Sequence, residues 1–284
     1  MKRRVVALVT VSVAACYQDV IDGRTFKGEG RGVLIAAGTF PMGAEASSGS
    51  DSEHPRHDVT LAAFRIDATE VTVGDYLDWA KDHGAECAYG GGSGPCVSCS
   101  GDGCDVSSSA LATHPMVGVT WYGAGAYCVA KGQRLPTEAE WERAAAGPQG
   151  ARRFPWGNEC PTSGFGGGCA AETWTNSTSR ANCLEIDCHD GFDGTAPVGS
   201  FPLGSTPEGV LDLAGNALEW VEDAYHPTYD GAPANATAWT GGTERAGRGG
   251  GPGYTGEDLR VTARFQLDPH QGYFDVGFRC VSSP

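Results

Sequence analysis

The sequence GQRLPTEAEWER at residues 132–143 carries the clearest local structural signal in the chain. Thr137 can accept a hydrogen bond at the start of a helix, and the side chain of Glu140 can accept one from the backbone N–H of Thr137. This reciprocal pair is a capping box. It predicts a helix that runs through Ala146 and ends at the Gly-Pro pair of residues 147–148, because proline cannot continue a helix.

Similar signals on either side predict further short elements. Thr72 begins a second helix, with an aspartate at the position that completes its capping box, and Thr120 begins a third. Residues 33–40 and 58–66 alternate between apolar and polar side chains, which predicts two strands. The sequence GTFPMG at residues 38–43 predicts a turn.

The composition favours a globular protein that is rich in loops. The 284 residues include 43 glycines, and only 19% are charged, which is unlike a helical bundle. The formal net charge is −15. A field of this sign repels nucleic acid and anionic membranes, so the natural complement is a basic partner or a divalent cation.

The first fifteen residues are typical of a bacterial lipoprotein signal peptide. Residues 2–4 are basic, residues 5–15 are apolar but too few to span a bilayer, and Cys16 follows a run of small residues. We expect export to the cell envelope, a lipid anchor at Cys16 and a polar tether over residues 16–32. The alternative is ordinary signal cleavage, which would give a secreted protein without an anchor.

The cysteine count also fits an exported protein. Of eleven cysteines, ten remain when Cys16 is set aside, and an even number in an oxidising compartment predicts five disulfides. Two groups of four lie in polar, glycine-rich tracts, and each group predicts two disulfides: Cys87, Cys96, Cys99 and Cys104, then Cys160, Cys169, Cys183 and Cys188. Tetrahedral zinc is the alternative for the first group.

Several motifs resemble the formylglycine-generating enzyme (sulfatase-modifying factor) superfamily. RLPTEAEWE is followed by RRFPWGN at residues 152–158, and the chain has GTFPMG near its start and GFRCV at residues 277–281. The resemblance covers about residues 33–284, apart from a cysteine-rich insertion at residues 84–110. It implies one α+β domain with the C-type-lectin-like fold of that superfamily, with little regular secondary structure and many disulfides. In the family, the cysteines that correspond to Cys128 and Cys280 form a bridge, so we expect that bridge here.

The resemblance also implies two calcium sites, since Ca²⁺ prefers roughly six to eight hard oxygen ligands. DLAGNALEW at residues 212–220 resembles the GNAWEW site of the family. Asp212 and Glu219 would bind there through side chains, and Gly215 and Ala217 through carbonyl oxygens. The set that resembles the other family site consists of the side chains of Asn182 and Asp190 and the carbonyl oxygens of Cys183 and Phe192.

The copper chemistry of the superfamily is not expected here. Formylglycine-generating enzymes have two cysteines shortly after an RGG sequence, and this pair binds copper(I), which prefers soft thiolates. In this chain RGG occupies residues 248–250, and the next eight residues, GPGYTGED, include no cysteine. No catalytic residue is therefore assigned, and whether the protein is an enzyme stays open.

Three hypotheses for the function remain. The first is a calcium-stabilised binding or accessory protein whose partner is a protein, peptide or glycan of the cell envelope. The second is a non-copper oxidase, as in the pyoverdine-maturation relatives. The third is a formylglycine-generating oxidase that acts on a sulfatase cysteine, which would require soft ligands.

Any binding pocket is expected beside residues 248–254. The candidate lining residues are Tyr254, Arg260, Arg264 and Trp239. The alternative for the two arginines is a structural role, because a guanidinium forms strong bidentate pairs with carboxylates. The nearby acids that could serve as partners are Asp258, Asp268 and Asp275.

Overall fold

The computed structural model describes residues 32–83, 97–100, 103–106, 111–158, 180–182, 191–254 and 256–284. These ranges contain the helices α1 (Val73–His83), α2 (Trp121–Ala130) and α3 (Glu138–Ala146), with single 3₁₀ turns at Asp51–Glu53 and Pro202–Gly204. Within the described ranges, each helix falls short of the length and apolarity that crossing a bilayer requires.

The strands are short. In chain order they are β1 (Val33–Ile35), β2 (Gly38–Met42), β3 (His57–Leu61), β4 (Phe64–Ile66), β5 (Val97–Ser100), β6 (Gly103–Val106), β7 (Leu218–Ala224), β8 (Arg245–Arg248), β9 (Phe265–Leu267), β10 (Val276–Gly277) and β11 (Val281–Ser282).

These strands form small sheets that bring distant parts of the chain together. A four-stranded sheet has the order β10-β7-β8-β9, in which β10 runs parallel to β7 and the other pairs are antiparallel. A three-stranded antiparallel sheet has the order β1-β4-β11 and so joins the start of the domain to its end. Two antiparallel pairs, β2-β3 and β5-β6, complete the described strands.

All three helices begin where the sequence predicts. The hydroxyl oxygens of Thr72, Thr120 and Thr137 each accept a hydrogen bond from the backbone N–H three residues later, at 3.1, 3.1 and 3.2 Å. The capping box of α3 is complete, because Glu140 Oε2 accepts a hydrogen bond from the N–H of Thr137 at 2.9 Å. Helix α3 ends at Gly147, whose φ of 76° suits glycine.

The predictions for the first strands need correction. Residues 38–43 do not form a turn, because 38–42 form β2 and pair along their whole length with β3. Phe40 and Met42 are two residues apart and both point into the core, with 0% and 3% exposed. Burial of every second side chain favours a strand over a turn. The segments 33–40 and 58–66 are each divided into two strands that belong to different sheets.

Strand β7 lies between two apolar clusters. Trp220 packs into a cluster with α1, α2 and the disulfide between Cys128 and Cys280, whose Cα atoms are 5.6 Å apart. The next residue, Val221, packs into a second cluster beneath α3, around Trp141. Consecutive side chains of a strand point to opposite faces, so one strand serves both cores. The disulfides predicted within the two cysteine-rich tracts lie outside the residues whose side chains are described.

Candidate functional site

Helix α3 presents two acids to the RGG sequence. Glu138 and Glu142 are four residues apart and therefore share one face of the helix. The guanidinium of Arg248, at the end of β8, donates to Glu138 Oε1 at 2.7 Å and to Glu142 Oε2 at 2.5 Å. Arg264 donates to both carboxylate oxygens of Glu138, at 2.5 and 3.0 Å. We call these four residues the paired network.

The paired network is buried and electrically balanced. The side chains of Arg248 and Arg264 are 0% exposed, and those of the two glutamates are 1–2% exposed. Burial raises the pKa of Glu138, but the charges and hydrogen bonds of Arg264 and Arg248 lower it by more. The resulting pKa is about 2. Two guanidinium groups face two carboxylates, so the formal charges balance within the network, although burial raises the pKa of Glu142. The side chain of Arg264 is thus part of the core, and it does not line the pockets described among these residues.

Arg260 also forms ion pairs, in a more accessible place. Its two terminal nitrogens donate to the two oxygens of Glu53, at 2.6 and 2.9 Å, and its Nε donates to Glu257 at 3.0 Å. Burial raises the pKa of Glu53, but hydrogen bonds from Arg260, Thr262 and the backbone of Ser50 lower it to about 2.

The predicted ion pairing of the two arginines is confirmed, but the predicted partners are wrong. The sequence pointed to Asp258, Asp268 and Asp275, which are close to the arginines along the chain. Arg260 instead pairs with an acid 207 residues away, and Arg264 with one 126 residues away. The fold carries this segment against α3 and the loop before β3, and local spacing does not reveal that approach.

Side chains fill the space beside the segment after RGG. A Cβ atom built on Gly251 would lie 3.3 Å from the ring of Tyr254 and 3.3 Å from Cβ of Asp275. The ring of Tyr254 also meets Phe265 edge to face, with centroids 5.1 Å apart. Burial and the interaction with Asp275 raise the pKa of Tyr254, and burial raises that of Asp275. A hydrogen-bonding phenol and carboxyl therefore occupy this position.

Trp239, the fourth pocket candidate, lies beside the paired network, because His226 contacts it and also accepts a hydrogen bond from Arg264 at 2.9 Å through its backbone carbonyl. Its ring stacks on His226 with centroids 3.8 Å apart, and its backbone N–H donates to Asp223 at 2.9 Å. The four candidates thus divide between the paired network, the closed segment after RGG, this stack and, for Arg260, an open cleft. The structure does not bring them together into one pocket.

The predicted calcium turn lies beside an acid that the sequence did not single out. Asp212, Gly215 and Asn216 adopt left-handed backbone conformations, with φ of 57°, 80° and 66°. Asn216 Nδ2 donates to Glu70 Oε1 at 3.0 Å. The charge of Asp212 acts on the carboxyl group of Glu70 and raises its pKa, after the larger effect of burial. No motif in the sequence marks Glu70 as a ligand.

Glu219 is neutralised by the protein itself. Arg279 donates to both of its carboxylate oxygens, at 2.7–3.0 Å, and Trp141 donates to Oε2 at 2.9 Å. We call Glu70, Asp212, Glu219 and Arg279 the acidic cluster. All four are buried, and its three carboxyl groups share one guanidinium.

Part of the acidic cluster fits a hard cation. Burial, followed by the charge of Asp212, raises the pKa of Glu70 well above its usual value, and burial raises that of Asp212. Glu70 Oε2 is buried without a hydrogen-bond partner among the described residues, which is the condition that a metal would relieve. Glu219 fits less well because both of its oxygens already accept N–H donors. In the part of the chain described here, no three His, Cys, Asp or Glu side chains form a metal-binding group.

The second predicted calcium set is only partly described. Cys183 and Asp190 lie outside the described residues, and Phe192 is 40% exposed. Asn182 is buried, and its Nδ2 donates to the carbonyl of Gly194 at 2.7 Å and more weakly to Asn216 Oδ1 at 3.3 Å. This contact links the two predicted sites.

Residues 18–284 match the sulfatase-modifying factor enzyme 1-like domain. The chain belongs to this family. Among relatives of this sulfatase-modifying factor family member is the inactive C-alpha-formylglycine-generating enzyme 2 of Mus musculus, with 29% identity over 88% of this chain and 85% of that protein. The formylglycine-generating enzyme of Streptomyces coelicolor is 32% identical over 88% of each. The match to the serine/threonine-protein kinase pkn1 of Chlamydia caviae is 33% identical but covers 37% of that protein.

Solved structures agree with this assignment of the fold. The structure of PvdO from Pseudomonas aeruginosa has a TM-score of 0.70 and 28% identity, over 88% of this chain and 93% of that one. The Treponema denticola variable protein 1, at 21% identity, has a TM-score of 0.59 over 89% and 94%. The sulfatase-modifying factor domain described here therefore has the α+β, C-type-lectin-like fold that its motifs predict.

Proposed function

We propose that this family member is an exported binding or accessory protein of the bacterial cell envelope, stabilised by calcium and without copper-dependent oxidase activity. Its partner is a protein, peptide or glycan of that compartment. The proposal places the protein on the membrane surface through lipidated Cys16, with secretion as the alternative.

One observation carries the binding role. The segment that follows RGG contains no sulfur, and the ring of Tyr254 and the carboxyl group of Asp275 lie against Gly251 within it. A soft metal such as copper(I) requires thiolate or thioether ligands, and these hard oxygen groups are poor substitutes. A relative described as inactive supports the idea that the family also includes members without this chemistry.

The acidic cluster supports the calcium part of the proposal. Asp212 and Glu70 would hold the ion, with carbonyl oxygens of the turn at Gly215 and Ala217 as the further ligands that the family motif implies. The ion would add positive charge to a cluster in which three carboxyl groups are accompanied by one guanidinium, and its role would be structural. A bound ion would stabilise the folded state of a backbone that has little regular secondary structure.

Copper binding and turnover test the proposal directly. The full chain would be titrated with copper(I) and assayed for oxygen uptake on a cysteine-containing sulfatase peptide, with the formylglycine-generating enzyme of Streptomyces coelicolor as the active control. We expect neither tight copper binding nor oxygen uptake. Uptake with copper would establish the formylglycine-generating alternative, and uptake without copper would establish a non-copper oxidase; either result would refute the binding role.

A further inference from the structure

An open cleft away from Tyr254 is lined by guanidinium groups. It has a volume of about 540 Å³ and lies between the loop after β2, the segment that follows α3 and the loop that contains Arg260. That volume suits a small ligand of one or two sugar rings. The charged residues that line the cleft are Arg56, Arg152, Arg153, Arg260, Glu45 and Glu257.

The cleft is close to electrically neutral, unlike the protein as a whole. Four arginines and two glutamates line it, and Glu208 and Glu53 pair with two of the arginines from outside the lining, whereas the protein carries a formal charge of −15. The arginines are held in place by acids, since Arg152 pairs with Glu208 at 3.0 Å and Arg260 pairs with Glu53. A guanidinium held in this way loses little conformational entropy when it binds an oxyanion.

Two of these arginines retain unused donors. Arg56 donates to the carbonyl of Gly150 at 2.8 Å and pairs with Glu45, but its buried Nε has no partner among the described residues. Arg153 pairs through one terminal nitrogen with Glu257, and within the described part of the chain no hydrogen bond uses its Nε or other terminal nitrogen. The side chain of Arg153 is 29% exposed, so its remaining donors can reach an acceptor that enters the cleft.

The remaining wall of the cleft is small and polar. Ser47, Ser48, Asn158 and Thr262 contribute hydroxyl and amide groups, and the apolar side chains are limited to two alanines and Val261. Hydroxyl and amide groups match the hydroxyl groups of a sugar. The guanidinium groups match a carboxylate, which they bind through two parallel hydrogen bonds.

We propose that this cleft binds a short acidic saccharide, with the carboxylate of a uronic acid unit on Arg56 and Arg153. The inference rests on the proposed binding role and names its site and ligand class. A short ligand is favoured over a long acidic polymer because the rest of the negatively charged surface repels the polymer. An acidic peptide shares the carboxylate but lacks the ring hydroxyl groups.

Titration of the full chain by calorimetry or NMR with digalacturonate tests the proposal. Galactobiose, a neutral disaccharide, and the dipeptide Glu-Glu serve as comparison ligands. We expect digalacturonate to bind, and Arg153→Gln and Arg56→Gln each to weaken it about tenfold or more, since each removes charge-assisted hydrogen bonds. Lys81→Gln removes the same charge from the exposed surface of α1, and it should change the affinity less than about twofold.

A different kind of variant provides a test that stays valid if the arginine variants fail to fold. Ala151→Glu adds a carboxylate to an exposed residue of the cleft and breaks no ion pair, and we expect it also to weaken binding about tenfold. Equal binding of digalacturonate by all variants, tighter binding of galactobiose or Glu-Glu, or no binding at all would overturn the proposal. Those results would leave the proposed function standing, because copper-dependent turnover is measured separately.

Discussion

The paired network and the acidic cluster are both buried, and they meet at Trp141, yet they differ in charge balance. The indole N–H of Trp141 donates to Glu219 of the acidic cluster, and its ring faces Arg248 of the paired network at 5.2 Å. The paired network has two acids and two arginines, whereas the acidic cluster has three acids and one arginine. The pKa of Glu138 is about 2, whereas burial raises the pKa of Glu142 in the same network and that of Glu70 in the acidic cluster.

The difference in charge balance distinguishes a buried group with a structural role from a buried group that is a candidate ligand site. The paired network balances two positive and two negative charges between α3 and the segment from β8 to Arg264, although Arg248 Nε is buried without a hydrogen-bond partner among the described residues. The acidic cluster is incomplete by itself and must bind either protons or a cation to remain buried. The difference in charge balance is the reason why we propose a cation at the acidic cluster and none at the paired network.

The largest expected effect comes from opening the paired network. Arg248→Met leaves Glu142 buried with the N–H of Gly43 as its remaining partner among the described residues, and deprives Glu138 of one of its two arginines. Breaking a buried pair in this way typically costs about 3–5 kcal/mol. Denaturation in urea would measure the loss in free energy of unfolding.

The control for this variant removes the orphaned charge as well. Glu142→Gln added to Arg248→Met keeps an oxygen for Gly43 and should recover part of the stability. If Arg248→Met alone costs less than about 1 kcal/mol, as an exposed pair would, the network is not the charge-balanced unit described above.

Removal of calcium should have the next largest effect, through the acidic cluster. A ligand at about 100 times its Kd stabilises the folded state by about 2.7 kcal/mol, so a chelator should lower the Tm by about 5–10 °C. Glu70→Gln keeps the acceptor for Asn216 but removes a negative charge, and should reduce the response to the chelator by half or more. Glu257→Gln, an acid far from this cluster in its contacts, is the matched control; an identical chelator response in the Glu70 and Glu257 variants would contradict the role given to Glu70.

A pH dependence should arise from Glu222, another buried acid, which lies on β7 beyond the acidic cluster. Burial raises the pKa of Glu222 to about 7. The charges of Arg134 and Arg245 oppose this shift, and the charge of Glu140 adds to it. Because the folded pKa exceeds the unfolded value of about 4.3, the stabilising proton is fully present below the unfolded pKa and is lost as the pH rises through 7. The free energy of unfolding should fall between about pH 5 and pH 8, by on the order of 2 kcal/mol for this residue.

Glu222→Gln tests this dependence because it keeps the shape and cannot ionise. The variant should lose stability less steeply than the parent over the same pH range. Part of the slope should remain, since burial, with a further contribution from the charge of Glu138, also raises the pKa of Asp223 to about 7. Parallel curves for variant and parent would show that Glu222 does not titrate in this range.

The sequence predicts the helices well because their signals are local. The caps at Thr72, Thr120 and Thr137 each act over three residues, so no knowledge of tertiary structure is needed to find them. The strands at residues 33–40 and 58–66 are less well predicted. Their division depends on which sheet each half joins, and that is decided by distant partners such as β11.

The candidate site is recovered only in part for the same reason. The turn around Asp212 follows a family motif, but Glu70 comes from a different part of the chain and bears no local mark. Tyr254, Arg260 and Arg264 were grouped because they are near in sequence. The fold sends them in different directions because the strongest partner of each arginine is a glutamate more than a hundred residues away.

The smallest expected effect comes from the cap of α3, and it tests whether that cap positions the paired network. Thr137→Ala removes the hydrogen bond to the N–H of Glu140 and should cost about 1 kcal/mol. Because Thr137 directly precedes Glu138, its loss also lets the first turn of α3 shift against Arg248. The cost of Thr137→Ala should therefore be smaller when Arg248→Met is already present, and a double-mutant cycle would measure that coupling.

Thr72→Ala is the matched control, since it removes the same kind of cap from α1, which contributes no residue to the network. Its effect should add to that of Arg248→Met within about 0.5 kcal/mol, as independent sites do. If the cap of α3 is equally additive, the ion pairs alone set the position of Glu138, and the network would hold the helix in place without depending on how that helix begins.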